Sequence, residues 1–344
     1  MAKASPLPSV TVFIPTFNGE DYVRRVLEGI RAQDYDGDVD VLVIDSGSRD
    51  RTVAIVREFP EVRLHQIPNS EFGHGRTRNL AAQMATGEIV AYLTQDAIPA
   101  NPMWLRELVD PFLRFPEVAG VTGKQVPRAN CYPLLKREIY QVFSGLGPDF
   151  GTTVYFRSDA MTDPGLNGAA AFYSDVNSAA RRAVLVGDIP YRDVDYAEDQ
   201  LFGKDVLDHG LAKAYAPRAV VEHSNDLTRA ELAARTFDEV VGLRKLGIGP
   251  GPLDERSRRR LTIRDTIHGW RDTLRDRQYS KLQKLSWLVR NPQYVATKWR
   301  SYAESTTVDL ADLDIHAQRS LEAGRRQGTG SEVVDLDTQR ELTE

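Results

Sequence analysis

The feature that most constrains this fold is the regular alternation, over residues 9–123, of short apolar runs with amphipathic stretches. SVTVFIPTF (9–17), VDVLVID (39–45), VRLHQI (62–67), EIVAYL (88–93) and VAGVTG (118–123) read as strands. Between the first two, Tyr22, Val23, Val26, Leu27 and Ile30 repeat at helical spacing, with Asn18 placed to cap the helix. The stretch TVAIVREF follows Ser48 and Asp50, either of which can cap it, and Pro102 suits the first turn of a helix around 102–115. Strands alternating with helices through short connections dictate an α/β fold: a mostly parallel central sheet flanked by helices on both faces.

In such a sheet, ligands gather where the strands end. Thr16 and Asn18 follow the first strand, Asp45 and Ser46 close the second, and Asp96 stands just beyond 88–93. Three strand ends delivering polar groups to one edge predict a nucleotide crevice, in which Asp45 accepts hydrogen bonds from a base or ribose; an Asx turn is the plainer role for Asp45. The turn before the third helix, EFGHGRTRN (71–79), places Gly73 and Gly75 where the backbone turns tightly and approaches a ligand. Arg76 and Arg78 follow at a helix start, a setting that suits phosphate. The fingerprint of a dinucleotide-binding oxidoreductase is missing: Arg78 stands where glycine is needed, and the first strand–helix turn has no Gly-x-Gly.

Composition removes other classes. The 344 residues carry a net charge of −5, which does not suggest a nucleic-acid binder, and the single cysteine, Cys131, excludes an intramolecular disulfide and argues against a cysteine-based zinc site. The N-terminus lacks a signal-peptide core and no apolar run approaches a bilayer span, so a cytoplasmic location is expected.

Beyond 124 the pattern loosens. AAAFYSDVNSAARRAVL (169–185) reads as strand, turn and helix, with Asn177 or Ser178 at the turn. Glu198 and Asp199 fall at a predicted helix start, where the helix dipole favours carboxylates; exposed at a cleft, Asp199 becomes a general base. His223 closes a short strand within 211–226. Residues 256–300 carry thirteen Lys and Arg against three Asp, interleaved with Leu, Ile and Trp. Such helices suit an anionic membrane surface, or equally packing against the main domain or a second subunit as a homodimer. The expected organisation is a main domain over 1–240, divided into a nucleotide-binding half (9–123) and an acceptor/catalytic half (124–240). A basic amphipathic helical extension (241–302) and an acidic, flexible tail (303–344) follow.

Together PTFN (15–18), VIDSGSRD (43–50), FGHGRTRN (72–79), LTQDA (93–97), GKQVP (123–127), DVNSA (175–179), EDQ (198–200) and EHS (222–224) resemble the family 2 glycosyltransferases of GT-A fold, especially bacterial rhamnosyltransferases. The resemblance covers about the first 240 residues. It implies an inverting transfer of L-rhamnose from dTDP-β-L-rhamnose to a hydroxyl of a polysaccharide or lipid-linked glycan, peripheral to the inner face of the plasma membrane. A UDP-hexose donor, or a non-catalytic nucleotide-sugar-binding protein, is the alternative. On the same resemblance Pro15, Thr16, Asn18, Asp45, Ser46, Arg78, Gln95 and Asp96 form the nucleotide and donor pocket, and Asp96 with His223 holds a divalent Mg2+ or Mn2+. Asp199 is the catalytic base with Glu198 beside it, and Asn177 and Ser178 line the acceptor or sugar site. The sequence departs from the family's Asp-x-Asp signature at Thr94-Gln95-Asp96, where the first carboxylate is missing.

Overall fold

The computed structural model describes residues 7–321 except 159–167, 171, 195, 226, 248 and 250. The first half runs β1 (Val10–Thr16), α1 (Val23–Arg31), β2 (Val39–Asp45), α2 (Thr52–Arg57), β3 (Val62–Gln66), α3 (His74–Met84) and β4 (Ile89–Leu93). Next come β5 (Ile98–Pro99), α4 (Trp104–Arg114), β6 (Val118–Val126), α5 (Pro133–Gly145), β7 (Thr153–Tyr155) and β8 (Asn177–Arg181). The short α6 (Arg182–Leu185), α7 (Glu198–Asp208) and β9 (Ala212–Glu222) complete the sheet region. Helices α8 (Arg229–Lys245), α9 (Glu255–Arg275), α10 (Lys281–Ser305) and α11 (Leu313–Arg319) follow.

The strands form one sheet in the order β3-β2-β1-β4-β8-β6-β9-β5, with β7 also on β9. β1, β2, β3, β4, β6 and β9 share one direction, while β5, β7 and β8 run against them. The buried stretches of β1, β2 and β4 lack polar alternation because both faces are covered, whereas the edge strand β3 alternates. On one face Val12 and Ile14 of β1 and Val41 and Val43 of β2 pack with Val26 and Leu27 of α1 and Trp104 and Leu108 of α4. On the other, Phe13, Leu42, Ile44 and Tyr92 pack with Ala81 and Ala82 of α3 and Phe202 and Val206 of α7.

Two local expectations change. Asn18 does not cap α1: it adopts a left-handed conformation (φ +48°), which asparagine tolerates. Its Oδ1 instead accepts from Arg49 N at 2.8 Å, while Gly19 O receives the first amides of the helix. Asn177 and Ser178 are not at a turn. They open β8, whose Asn177 pairs with Leu93 of β4, so the turn falls at 175–176.

The C-terminal region is helical and packs on the sheet domain. Tyr132 and Leu134 meet Leu232, Tyr294 and Val295 in a separate apolar cluster. Lys136 Nζ pairs with Asp276 at 2.7 Å, and Lys298 pairs with Glu138. The expected boundary at 240 falls inside α8, and the expected tail at 303 falls inside α10. Residues 303–321 fold back because Arg244 donates to Ser305 O (2.7 Å) and Val308 O (2.9 Å) and Arg319 pairs with Glu304 (2.8 Å). The rest of that tail, 322–344, lies outside the described residues. No helix of the described residues is long and apolar enough to cross a membrane.

Candidate active site

The ends of β1 and β2 form one hydrogen-bonded unit. Thr16 and Asp45 are register partners, and Thr16 Oγ1 donates to Asp45 Oδ2 at 3.0 Å. Asp45 Oδ1 accepts from Gly47 N (3.1 Å) and Ser48 N (3.0 Å), so the Asx turn forms, with Gly47 at φ +87°. Ser46 N donates to Thr16 O at 2.9 Å, and Asn18 N donates to Ser48 Oγ at 2.9 Å. Gln95 brackets the loop from β4: its Oε1 accepts from Phe17 N (2.9 Å) and its Nε2 donates to Phe17 O (3.1 Å). A Cβ on Gly19 would sit 2.3 Å from Gln95 Oε1, which is why glycine follows Asn18. Pro15, Thr16, Asn18, Asp45, Ser46 and Gln95 thus converge on one sheet edge, with Thr16, Asp45 and Ser46 buried and engaged with one another.

Asp96 stands at the same edge among three groups from distant segments. His223 Nε2 lies 3.4 Å from Asp96 Oδ2, and His223 Nδ1 is 3.1 Å from Gln125 Oε1. Gln125 Nε2 donates to Ser174 Oγ (3.1 Å), which fixes its oxygen toward the imidazole Nδ1 and orients the His223 ring so that Nε2 faces Asp96. Arg128 Nη2 donates to Asp96 O at 2.6 Å and lies 3.7 Å from its carboxylate, with its guanidinium 3.9 Å over the Tyr22 ring. Burial alone would raise the Asp96 proton affinity, but His223, the Thr94 hydroxyl and Arg128 outweigh it and hold the carboxyl well below the ordinary range.

The second cluster gathers three carboxylates around one cation. Arg78, buried on α3, pairs through Nε with Asp175 at 2.8 Å and through Nη1 with Glu198. Asp175 Oδ1 also accepts from Ser178 Oγ (2.5 Å) and Tyr191 OH (2.9 Å). The pairing of Leu93 with Asn177 sets Asp175 at the sheet edge that carries Asp96. Asp175 N donates to Asp199 Oδ2 at 3.4 Å, and Gln200 N donates to Asp199 Oδ1 at 2.8 Å. Asp199 is half-buried, whereas Asp175 and Glu198 are buried. Desolvation, with Glu198 and Asp175 nearby, pushes the Asp199 carboxyl up to about 8 despite Arg78. Glu198 moves the other way, because the charge of Arg78 overcomes its burial. Ala197, immediately before the pair, is left-handed (φ +61°), a strained conformation for alanine at the helix entry.

Several expected roles do not match this placement. Arg78 is committed to buried carboxylates, so the nucleotide contact expected of it is not what its guanidinium makes. Gly73 and Gly75 approach their own chain rather than a ligand: a Cβ on Gly75 would lie 2.1 Å from the Arg192 carbonyl oxygen. Asn177 and Ser178 are fully buried and do not line an acceptor site. Asn177 accepts from Trp104 Nε1 (2.9 Å) and donates to Lys124 O (3.0 Å) and Ala219 O (2.8 Å), joining β8, β6 and β9. Sequence reasoning missed Arg128, Gln125, Asp175 and Tyr191. Gln125 and Asp175 lie inside GKQVP and DVNSA, so the motifs pointed to the right segments but to neighbouring side chains.

A mixed, mainly co-directional sheet with helices on both faces and acidic residues collected at its strand ends is the GT-A fold. The mannosyltransferase PcManGT from Pyrobaculum calidifontis, solved with GDP-Man and Mn2+, shares this fold: TM-score 0.56, 20% identity, 90% of each chain covered. Residues 11–186, just over half the chain, match the Glycosyl transferase family 2 model, and the chain belongs to that family. It is similar to the O-antigen chain rhamnosyltransferase RfbN of Salmonella typhimurium, 32% identical over 67% of this chain and 70% of the relative. It is also similar to the O-antigen chain rhamnosyltransferase WbaN of Salmonella anatum, 30% identical over 67% and 71%. The protein is a glycosyltransferase.

Proposed function

We propose that this glycosyltransferase moves L-rhamnose from dTDP-β-L-rhamnose to a hydroxyl of a polysaccharide or lipid-linked glycan, with inversion at the anomeric carbon. The observation that carries the reading is a pair of carboxylates at one sheet edge, Asp96 kept ionised and Asp199 kept proton-avid. Asp199 takes the proton from the acceptor hydroxyl, which attacks the anomeric carbon opposite the leaving diphosphate. Glu198, Asp175 and Arg78 hold Asp199 in place and set its affinity for that proton. Pro15, Thr16, Asn18, Asp45, Ser46 and Gln95 shape the nucleotide pocket, in which Thr16, Asp45 and Gln95 fix the loop.

The donor set fits a divalent Mg2+ or Mn2+: Asp96 Oδ2 and His223 Nε2 face each other, and Gln125 orients the imidazole. Among the described residues no group of three or more His, Cys, Asp or Glu side chains could hold a metal, so an ion here would need further ligands from diphosphate and water. Once bound, it would neutralise charge on the leaving diphosphate. Arg128 adds fixed positive charge beside the same carboxylate. A nucleotide-sugar donor puts the reaction in the cytoplasm, and a lipid-linked acceptor would bring it to the inner face of the plasma membrane.

The rhamnose donor is favoured by the two rhamnosyltransferase relatives. Calorimetric titration with dTDP, UDP and NAD+, each with and without Mg2+ or Mn2+, tests it. Tighter binding of dTDP, strengthened by metal, is the expected result. A preference for UDP would discard the rhamnose donor and keep the transferase. If nucleotide binds but nucleoside diphosphate is never released from the sugar nucleotide, the protein is a binder without catalysis.

A further inference from the structure

The outward face of the α9–α10 hairpin is not used by the transferase site. Its two helices are clamped side by side: Trp270 Nε1 donates to Leu288 O and Lys284 Nζ to Leu274 O, each at 2.8 Å. The inward side carries the buried Asp265, Gly269, Thr273, Asn291, Tyr294 and Val295. On the outward side of α9, Ile263, Ile267, Trp270 and Leu274 recur at i, i+4, i+7 and i+11 and so share one stripe. Leu282, Leu285 and Val289 continue it across α10, and exposure along the stripe runs from 40% at Trp270 to 80% at Leu282. Seven of the fifteen exposed large apolar side chains among the described residues therefore lie on this one hairpin, a clustering that scattered surface hydrophobics do not produce.

The charge pattern identifies what covers the stripe. Arg264, Arg271 and Arg275 each follow a stripe residue by one position, and Arg260 precedes Ile263 by three, so an arginine row borders the apolar one. Residues 256–300 hold thirteen Lys and Arg against three Asp in a chain whose net charge is −5, so positive charge is concentrated here. A second copy docked by two-fold symmetry would bring this cationic face against itself. A nucleic acid would match the arginines, but six of the seven stripe residues are aliphatic and offer its bases no stacking face. A bilayer with anionic headgroups matches both rows at once: apolar side chains in the acyl–headgroup boundary, arginines among the lipid phosphates.

We infer that the α9–α10 hairpin is the surface by which this protein rests on an anionic membrane. The inward side of the hairpin packs on the domain, so domain packing and membrane contact use different faces. Arg271 and Arg275 also line a cavity of about 700 Å3 with Lys124 and Arg137, and Lys124 directly precedes Gln125 on β6. An acceptor anchored in the bilayer would meet the chain beside the strand that orients His223. The inference does not depend on the identity of the donor.

Co-sedimentation of the full chain with phosphatidylcholine vesicles, with and without about one-third phosphatidylglycerol, tests it. Binding is expected only to the anionic vesicles and should weaken with added salt. Arg260→Gln with Arg275→Gln should lower partition about thirtyfold, from on the order of fivefold per cation. Ile267→Gln with Leu282→Gln should lower it by about tenfold or more. Both side-chain pairs are exposed, so thermal unfolding and release of nucleotide from the donor in solution should match the unsubstituted chain. Absence of binding to anionic vesicles, or equal binding by all three proteins, would overturn the inference. So would lipid-free self-association that the Ile267 and Leu282 substitutions abolish, since the stripe would then belong to a second copy.

Discussion

Asp96 and Asp199 stand at one edge of the same sheet, yet their surroundings drive their carboxyl groups in opposite directions. Among the described residues, Asp96 has a histidine and an arginine beside it. Asp199 shares a single arginine with two other carboxylates, both nearer to that cation. Burial would raise both; the local ratio of cations to anions decides the outcome. Two carboxylates with opposed proton affinities can divide the work, one staying charged to hold cations and the other ready to take a proton.

The largest effect that could break this comparison is at Asp199. Asp199→Asn should cut turnover by about 10²–10⁴-fold while leaving calorimetric binding of the nucleotide intact; near-native turnover would remove Asp199 as the base. Arg78→Met removes the guanidinium that pairs with both Asp175 and Glu198 and leaves these buried carboxylates uncompensated. A loss of about 3–5 kcal/mol should appear in urea unfolding, whereas an arginine that served only the nucleotide would leave stability unchanged. At the other cluster, Gln125→Met frees the His223 ring, and metal-dependent nucleotide binding should weaken by about 10–100-fold with metal-free binding unaltered. The smallest effect is expected at Ala197, where glycine relieves the left-handed backbone. Ala197→Gly should stabilise the fold by about 0.5–1 kcal/mol, set against the larger freedom glycine has when unfolded.

How far the sequence reveals this arrangement depends on the range of the interactions. The parallel strands β1, β2 and β4 are legible because their buried stretches are largely apolar on both faces, and β3 because Val62 and Leu64 alternate with Arg63 and His65. The polar ends of β1 and β2 are legible too, since Asp45 and Ser48 belong to one local turn. β8 is harder: Asn177-Ser178-Ala179-Ala180-Arg181 has no apolar run, and its strand character comes from being inserted between β4 and β6. Gly75 fits a ligand loop in sequence because nothing local announces the Arg192 carbonyl that fills the space. The Arg78 cluster is likewise invisible, since Asp175, Tyr191 and Glu198 reach the arginine only through tertiary packing. In the C-terminal helices composition announces both apolar and basic character, but which apolar residues face inward is decided by contacts with α5 and α8.

The most direct test of the account is the pH dependence of turnover in the unsubstituted enzyme and in Glu198→Gln. The base works deprotonated, so the rate should rise with pH through an acid limb centred at about 8. Removing the negative charge of Glu198 should move that limb to lower pH, because Arg78 then faces fewer carboxylates and favours ionised Asp199. An acid limb in the ordinary carboxylate range, at roughly 4, and unmoved by Glu198→Gln would contradict the account.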